Sequence, residues 1–262
     1  MAATPVVGKS QWTPFWKGKC KNQLDRGAAN ARCPQPKWPI DLVERKKGGS
    51  LPSIQSLVEM GHNHFRCIVA KGQMAARNGA RLAPAANMTA MKWDRRLAAA
   101  AQRSANRCQW SGHDDKRLGS ENLASISGPR IDKQYAVEQA MRQWICEFPQ
   151  YYSGSTKSVM AWAKSNKVGC GARLCTKRVS YTIERKKTIN SSTGTSKGSQ
   201  SSWVRKLKTH TNVPPWWSVS CQYLPRGNVH TRKGPKAAYE AGRTCTNCPN
   251  GTRCNRTTGL CN

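Results

Sequence analysis

Acidic residues are scarce in this chain. Only 13 Asp and Glu stand against 44 Lys and Arg in 262 residues, a formal net charge of +31. Such a balance attracts polyanions: nucleic acid, heparan-like glycans or acidic lipid head groups. The basic clusters are nevertheless scattered, at Arg45–Lys47, Arg185–Lys187, Arg205–Lys208 and Arg232–Lys233. No aromatic-interleaved RNA-binding motif accompanies them. Scatter favours a plain basic surface, with a polyanion partner as the alternative. Long apolar runs are also missing. None could span a bilayer. The opening stretch MAATPVVGKSQWTPFWKGKC has no apolar core long enough for a secretory leader, so the chain reads as mature or truncated. Neither GxSxG nor HExxH occurs, which leaves a regular proteolytic role without its nucleophile or its metal motif.

Cysteine, by contrast, is plentiful. Twelve cysteines, an even number, point to a disulfide-bonded extracellular protein. Only one CxxC occurs, at Cys245 and Cys248, with Cys254 and Cys261 beyond it. A four-thiolate zinc site is conceivable there, but the dense cysteine use elsewhere favours disulfides. N-x-S/T sequons at Asn87, Asn190, Asn250 and Asn255 agree with secretion.

Residues 1–50 lack periodicity and hold Cys20 and Cys33, a pair able to close a loop there. Ile54, Leu57, Val58, Phe65, Ile68 and Val69 recur at helical spacing and predict a helix from Ser53 to about Val69, ended by Gly72. Residues 73–86 read as a loop. Asp94 is a good N-cap for an alanine-rich helix through Arg107. Asp132 can cap a third helix with Val137, Met141, Trp144, Ile145 and Phe148 on one face. Residues 158–165 suit a short fourth helix. Cys67 and Cys146 fall on the predicted helices and either pair or stay free. The best strands lie near Cys170–Cys175 and Val219–Tyr223, where apolar side chains alternate. Between them, residues 178–217 are rich in Ser, Thr and Lys and cannot bury much apolar area. Disorder is the expectation there, with Tyr181–Ile183 able to pair as a strand.

The stretch WSVSCQYLPRGNV (217–229) joins that last strand to a turn built from Pro225, Gly227 and Asn228. It resembles the last-strand signature of the CAP superfamily of cysteine-rich secretory, antigen-5 and pathogenesis-related class 1 proteins. Three further segments follow the family's order. GHNHFRCIVAKG (61–72) resembles its His-Asn-x-x-Arg motif at His62, Asn63 and Arg66. SENL (120–123) is similar to Gly-Glu-Asn-Leu. SVMAWAKSNKVGCG (158–171) resembles the tail of its Gly-His-Tyr-Thr-Gln motif with Val-Gly-Cys-Gly beyond. The resemblance covers residues 53–177 and 216–235 and leans towards nematode venom-allergen-like and Ancylostoma-secreted-protein-like members. It implies an α+β fold, an α-β-α sandwich of three to four helices around a small, mostly antiparallel sheet. The chain then divides into an irregular extension (1–50), a CAP domain (51–235) with a basic low-complexity insertion at about 178–215, and a cysteine-rich hinge-like tail (236–262). Disulfides are implied among Cys108, Cys170, Cys175 and Cys221 in the matched core, and two more in the tail, which has almost no apolar residues to pack.

Many members of that family carry two histidines and two glutamates in a central cleft. Residue by residue, His113, Glu121 and Glu147 match three of them, and Thr156 stands where the second histidine should fall. A threonine hydroxyl is a poor ligand for a divalent transition metal, so His113 is left as a weak metal candidate and zinc is expected to bind weakly or not at all. A plain structural role weighs more: Glu121 and Glu147 tying loops to the sandwich, His113 hydrogen-bonded in the cleft, and His62, Asn63 and Arg66 bracing the fold. The resemblance therefore implies a secreted, non-enzymatic extracellular effector or allergen-like factor without cofactor, acting on an unknown receptor or ligand. Sterol or other lipid is a possible cargo. A polyanion-binding protein is the alternative, and a hydrolase working through His113, Glu121 and Glu147 the third reading.

Overall fold

Ser53 begins the first helix as its side chain accepts the Ser56 N–H at 3.1 Å, so one of the unpaired donors of the first turn is satisfied. Helix α1 spans Ile54–Ala70 and buries Leu57, Val58, Phe65, Ile68 and Val69. Gly72 follows with φ of +64°, a left-handed conformation that suits glycine. Asp94 caps α2 (Arg95–Asn106) by accepting from the Arg96 and Leu97 N–H groups. Asp132 accepts the Tyr135 N–H at 2.8 Å and opens α3 (Lys133–Tyr151). The structure, a computed structural model, describes residues 32–33, 52–76, 79–109, 112–113, 116–127, 131–151, 158–188, 202–232 and 234–262.

The predicted fourth helix is a single 3-10 turn, Val159–Ala161. Its neighbouring carbonyls have another partner. The Arg66 guanidinium donates to the carbonyls of Met160, Trp162 and Ala163, and an oxygen aimed at that donor is turned away from a helical ladder.

Strands β1 (Lys92–Trp93), β2 (Ser120–Ser127), β3 (Lys167–Thr188) and β4 (Ser202–Leu224) form one sheet in the order β1-β3-β4-β2. Only β1 and β3 run parallel; the other pairings are antiparallel. Side chains alternate across the sheet, and its two faces are covered differently. On one face Gly169 and Gly171 admit α2 so closely that a Cβ would collide with the Ala98 and Gln102 backbone. On the other, Val219, Cys221 and Tyr223 pack in a core with α1 and α3, where Phe65 meets Phe148 edge to face at 5.5 Å. The architecture is an α-β-α sandwich with a mostly antiparallel sheet.

One segment departs from expectation. The Ser/Thr/Lys-rich stretch pairs as a strand far beyond Tyr181–Ile183: Lys177–Thr188 lies antiparallel to Ser202–Val213, after a register shift between Cys175 and Lys177. Two strands already aligned in the core can extend by backbone hydrogen bonds, which need no apolar burial. Disorder is thus corrected for residues 178–188 and 202–217, while residues 189–201 lie outside the described residues.

Disulfides join Cys33–Cys67, Cys108–Cys175, Cys170–Cys221, Cys245–Cys254 and Cys248–Cys261. Cys146 is disulfide-bonded too. Cys33 therefore does not close a loop with Cys20, and Cys67 does not pair with Cys146. Three tail sulfurs, of Cys245, Cys248 and Cys261, lie within 4.8 Å of one another, but they are oxidised to two adjacent bridges and are no thiolate zinc site. The tail holds by more than these bridges. Strands β7 (Cys254–Asn255) and β8 (Leu260–Cys261) pair, Cys261 exchanges backbone hydrogen bonds with Met88 and Ala90, and Leu260 is buried. A short ribbon, β5 (His230–Thr231) with β6 (Gly234–Pro235), leads into it. No helix among the described residues is long and apolar enough to cross a membrane.

Candidate functional site

Glu121 is the fixed point of the site. Strand pairing sets Glu121 opposite Gln222 and Leu123 opposite Ser220, which brings two polar β4 side chains to one carboxylate. Its Oε1 accepts from Ser220 Oγ at 2.8 Å and Gln222 Nε2 at 3.3 Å, and its Oε2 lies 3.1 Å from His113 Nδ1. Gln222 in turn accepts the Leu118 N–H at 3.0 Å, tying down the loop that carries His113. The Glu121 side chain is fully buried, whereas 51% of the His113 side chain is exposed. The pair is thus a buried carboxylate with an imidazole facing solvent.

Glu147 stands apart. It sits half-buried on α3, and no hydrogen bond joins it to His113 or Glu121. Burial pushes its carboxyl above the usual carboxylate range. Its electrostatic partner is Tyr223, whose phenol is also pushed up by burial. Thr156 lies outside the described residues. The ligand atoms of His113, Glu121 and Glu147 do not gather within 4.8 Å of one another. Both Glu121 oxygens already have protein partners, with which a divalent metal would have to compete.

A second polar chain runs through the core. His62 Nδ1 donates to the Val58 carbonyl at 2.8 Å, which leaves Nε2 to accept from the Tyr223 hydroxyl at 3.0 Å, and that hydroxyl accepts from Asn122 Nδ2 at 3.3 Å. Burial, followed by the nearby Arg66 charge, holds the His62 pKa down to about 4, and the ring is neutral at neutral pH. Asn63 exchanges two hydrogen bonds with the Met91 backbone. Arg66 makes five, two to Thr89 and one each to Met160, Trp162 and Ala163. Burial lowers the Arg66 pKa to about 9. With oxygens at every edge, the guanidinium acts as a core bracket and has no free donor for a ligand.

The sequence alone does not mark Ser220, Gln222 or Asn122 as site residues. Period-two alternation marks Ser220 and Gln222 as polar neighbours of Val219, Cys221 and Tyr223, but only the β2–β4 register reveals that they meet Glu121. Among the sequon asparagines, Asn250 is exposed. Asn87 Oδ1 accepts the Glu240 N–H, and Asn255 Oδ1 accepts from Thr257 and Thr258. Asn190 lies outside the described residues.

A three-layer sandwich with a buried glutamate at the start of β2 and a His-Asn-x-x-Arg set on α1, its His62 and Arg66 buried, defines a class. The cysteine-rich secretory protein (CAP) family model matches residues 61–184. Venom allergen 5.02 of Vespa crabro is 33% identical over 172 residues, 60% of this chain and 83% of that protein. Ancylostoma secreted protein of Ancylostoma caninum is 24% identical over 263 residues, 93% of this chain and 50% of that one. The solved structure of Na-ASP-1 shares the fold at a TM-score of 0.58, with 24% identity over 87% of this chain and 52% of its own. The chain belongs to the CAP family, and its matches include nematode secreted proteins of the Ancylostoma type. It spans about a third of peptidase inhibitor 16 of Bos taurus, matching 31% of that protein at 30% identity. Secreted and allergen relatives support an extracellular CAP protein.

Proposed function

We propose that this chain is a secreted, non-enzymatic effector that works by recognising a receptor or ligand outside the cell. The observation behind this reading is the state of Glu121, whose two oxygens are held by Ser220, Gln222 and His113. A general base must reach the proton it removes, and this carboxylate is buried beneath its own partners. Ser220 donates its hydroxyl to Glu121, and among the described residues no hydroxyl bonds His113, the nucleophile–base contact a hydrolase would use.

The test is turnover of peptide and ester substrates by the purified protein and by His113→Ala, an exposed position. No turnover by either supports the reading. Turnover that disappears in the variant, with folding intact, overturns it. Sterol or fatty-acid carriage is a narrower form of the same function, supported by the family resemblance alone. Stoichiometric, saturable uptake of labelled cholesterol supports carriage, and no uptake confines the function to surface recognition.

A further inference from the structure

We propose that the outer face of α2, with the sheet positions beside it, is a docking face for a sulfated glycosaminoglycan chain. Helix α2 buries Leu97, Ala100, Ala101, Ser104 and Ala105 against the sheet. Its other face presents Arg95, Arg96, Arg103 and Arg107, all exposed. At 3.6 residues per turn, Arg96, Arg103 and Arg107 fall within about 40° of one another around the helix, and Arg95 lies at its opening. The sheet continues this face. Gly169 and Gly171 lie under α2, so alternation puts Lys167 and Arg173 on the same side. Lys92 pairs with Lys167 across β1 and β3. All three of these cations are exposed as well.

Little opposes this charge. Among the described residues Asp94 is the acid at this face; its Oδ1 caps α2, and its Oδ2 lies 4.0 Å from Lys167. Among the described residues, Arg107 bonds only the neutral Gln109 and Ser104 side chains. Among the described residues, no carboxylate forms an ion pair with any of the four α2 arginines, with Lys92 or with Arg173. Clustered cations with so little compensation produce a strong local positive potential.

The occupant follows from what lies between the arginines. Ala99, Gln102 and Asn106 fill the gaps, so among the described residues the face offers no aromatic ring on which a base could stack and no bulky apolar group to enter a bilayer. Guanidinium forks suit the oxygens of sulfate. A helix of 12 residues is ~18 Å long, a row that matches a linear, repeating anion better than a single small one. The choice of glycan over nucleic acid rests on the extracellular reading; the binding measured below does not depend on whether the protein is an enzyme.

The experiment is a titration of the full chain with a heparin-derived oligosaccharide across a salt series. The face variant is Arg96→Gln/Arg103→Gln/Arg107→Gln. Its control, with the same loss of charge, is Arg243→Gln/Arg253→Gln/Arg256→Gln, at exposed tail positions. We expect the face variant to lose roughly tenfold or more in affinity and its salt slope to fall by about 2–3, while the control stays within about twofold. Equal losses in both triples, or none in the face variant, overturn the proposal. So does tighter binding of phosphatidylserine vesicles or single-stranded DNA through the same arginines. Should the face triple fail to fold, Lys92→Gln/Arg173→Gln carries the test: a loss of about threefold or more supports the face, and unchanged affinity overturns it.

Discussion

Arg66 grips Thr89 twice, Nε donating to its carbonyl at 2.7 Å and Nη2 to its hydroxyl at 3.2 Å. The same guanidinium holds the carbonyls around the 3-10 turn, so α1, the loop before β1 and the turn before β3 meet on one side chain. Arg66→Met keeps much of the volume but leaves those oxygens buried and unpaired. We expect a loss of about 3–5 kcal/mol in urea unfolding. A loss below ~1 kcal/mol would show that water or repacking replaces the bracket.

Acid destabilises the fold through His62. The unfolded chain takes up a proton at the ordinary pKa of 6.5, the folded one at about 4. Between these values the unfolded state binds more protons, so stability falls as pH drops, by up to about 3 kcal/mol in all. Urea unfolding at pH 7 and pH 4.5 reads the difference. His62→Gln removes this titration and is expected to flatten that part of the profile. An equally steep profile in the variant assigns the acid sensitivity to other groups.

Zinc is expected to bind weakly, since Glu147 is not bonded to the His113–Glu121 pair and Glu121 is already satisfied. Isothermal calorimetry checks this. Micromolar or tighter binding that vanishes with His113→Ala contradicts it.

Gly169 and Gly171 set the spacing between α2 and the sheet. A methyl group at either would strike helix backbone rather than a movable side chain. Gly171→Ala is expected to cost about 1–3 kcal/mol. An unchanged thermal midpoint would mean that α2 shifts freely over β3.

The helices were readable because each announces its own start. Ser53, Asp94 and Asp132 cap α1, α2 and α3, and capping is a local interaction between near neighbours. The three-layer architecture and the His113–Glu121–Glu147 set came from family resemblance. Contacts set by distant pairing were not legible. Cys33 lies in a stretch without pattern, and nothing nearby points to Cys67 as its partner. The Ser220 and Gln222 contacts to Glu121 depend on the register between strands about 100 residues apart. The long β3–β4 pairing was hidden for a related reason. Its composition argues against a buried core, but two-stranded pairing asks for backbone partners first.

The Cys33–Cys67 bridge has a practical effect on degradation. A protease that cuts the chain once anywhere between these residues leaves two pieces still joined by sulfur. Such clipped material runs as a single species on a gel without reductant and separates into fragments once thiol is added. Proteolytic processing of this segment therefore leaves the pieces covalently attached to one another.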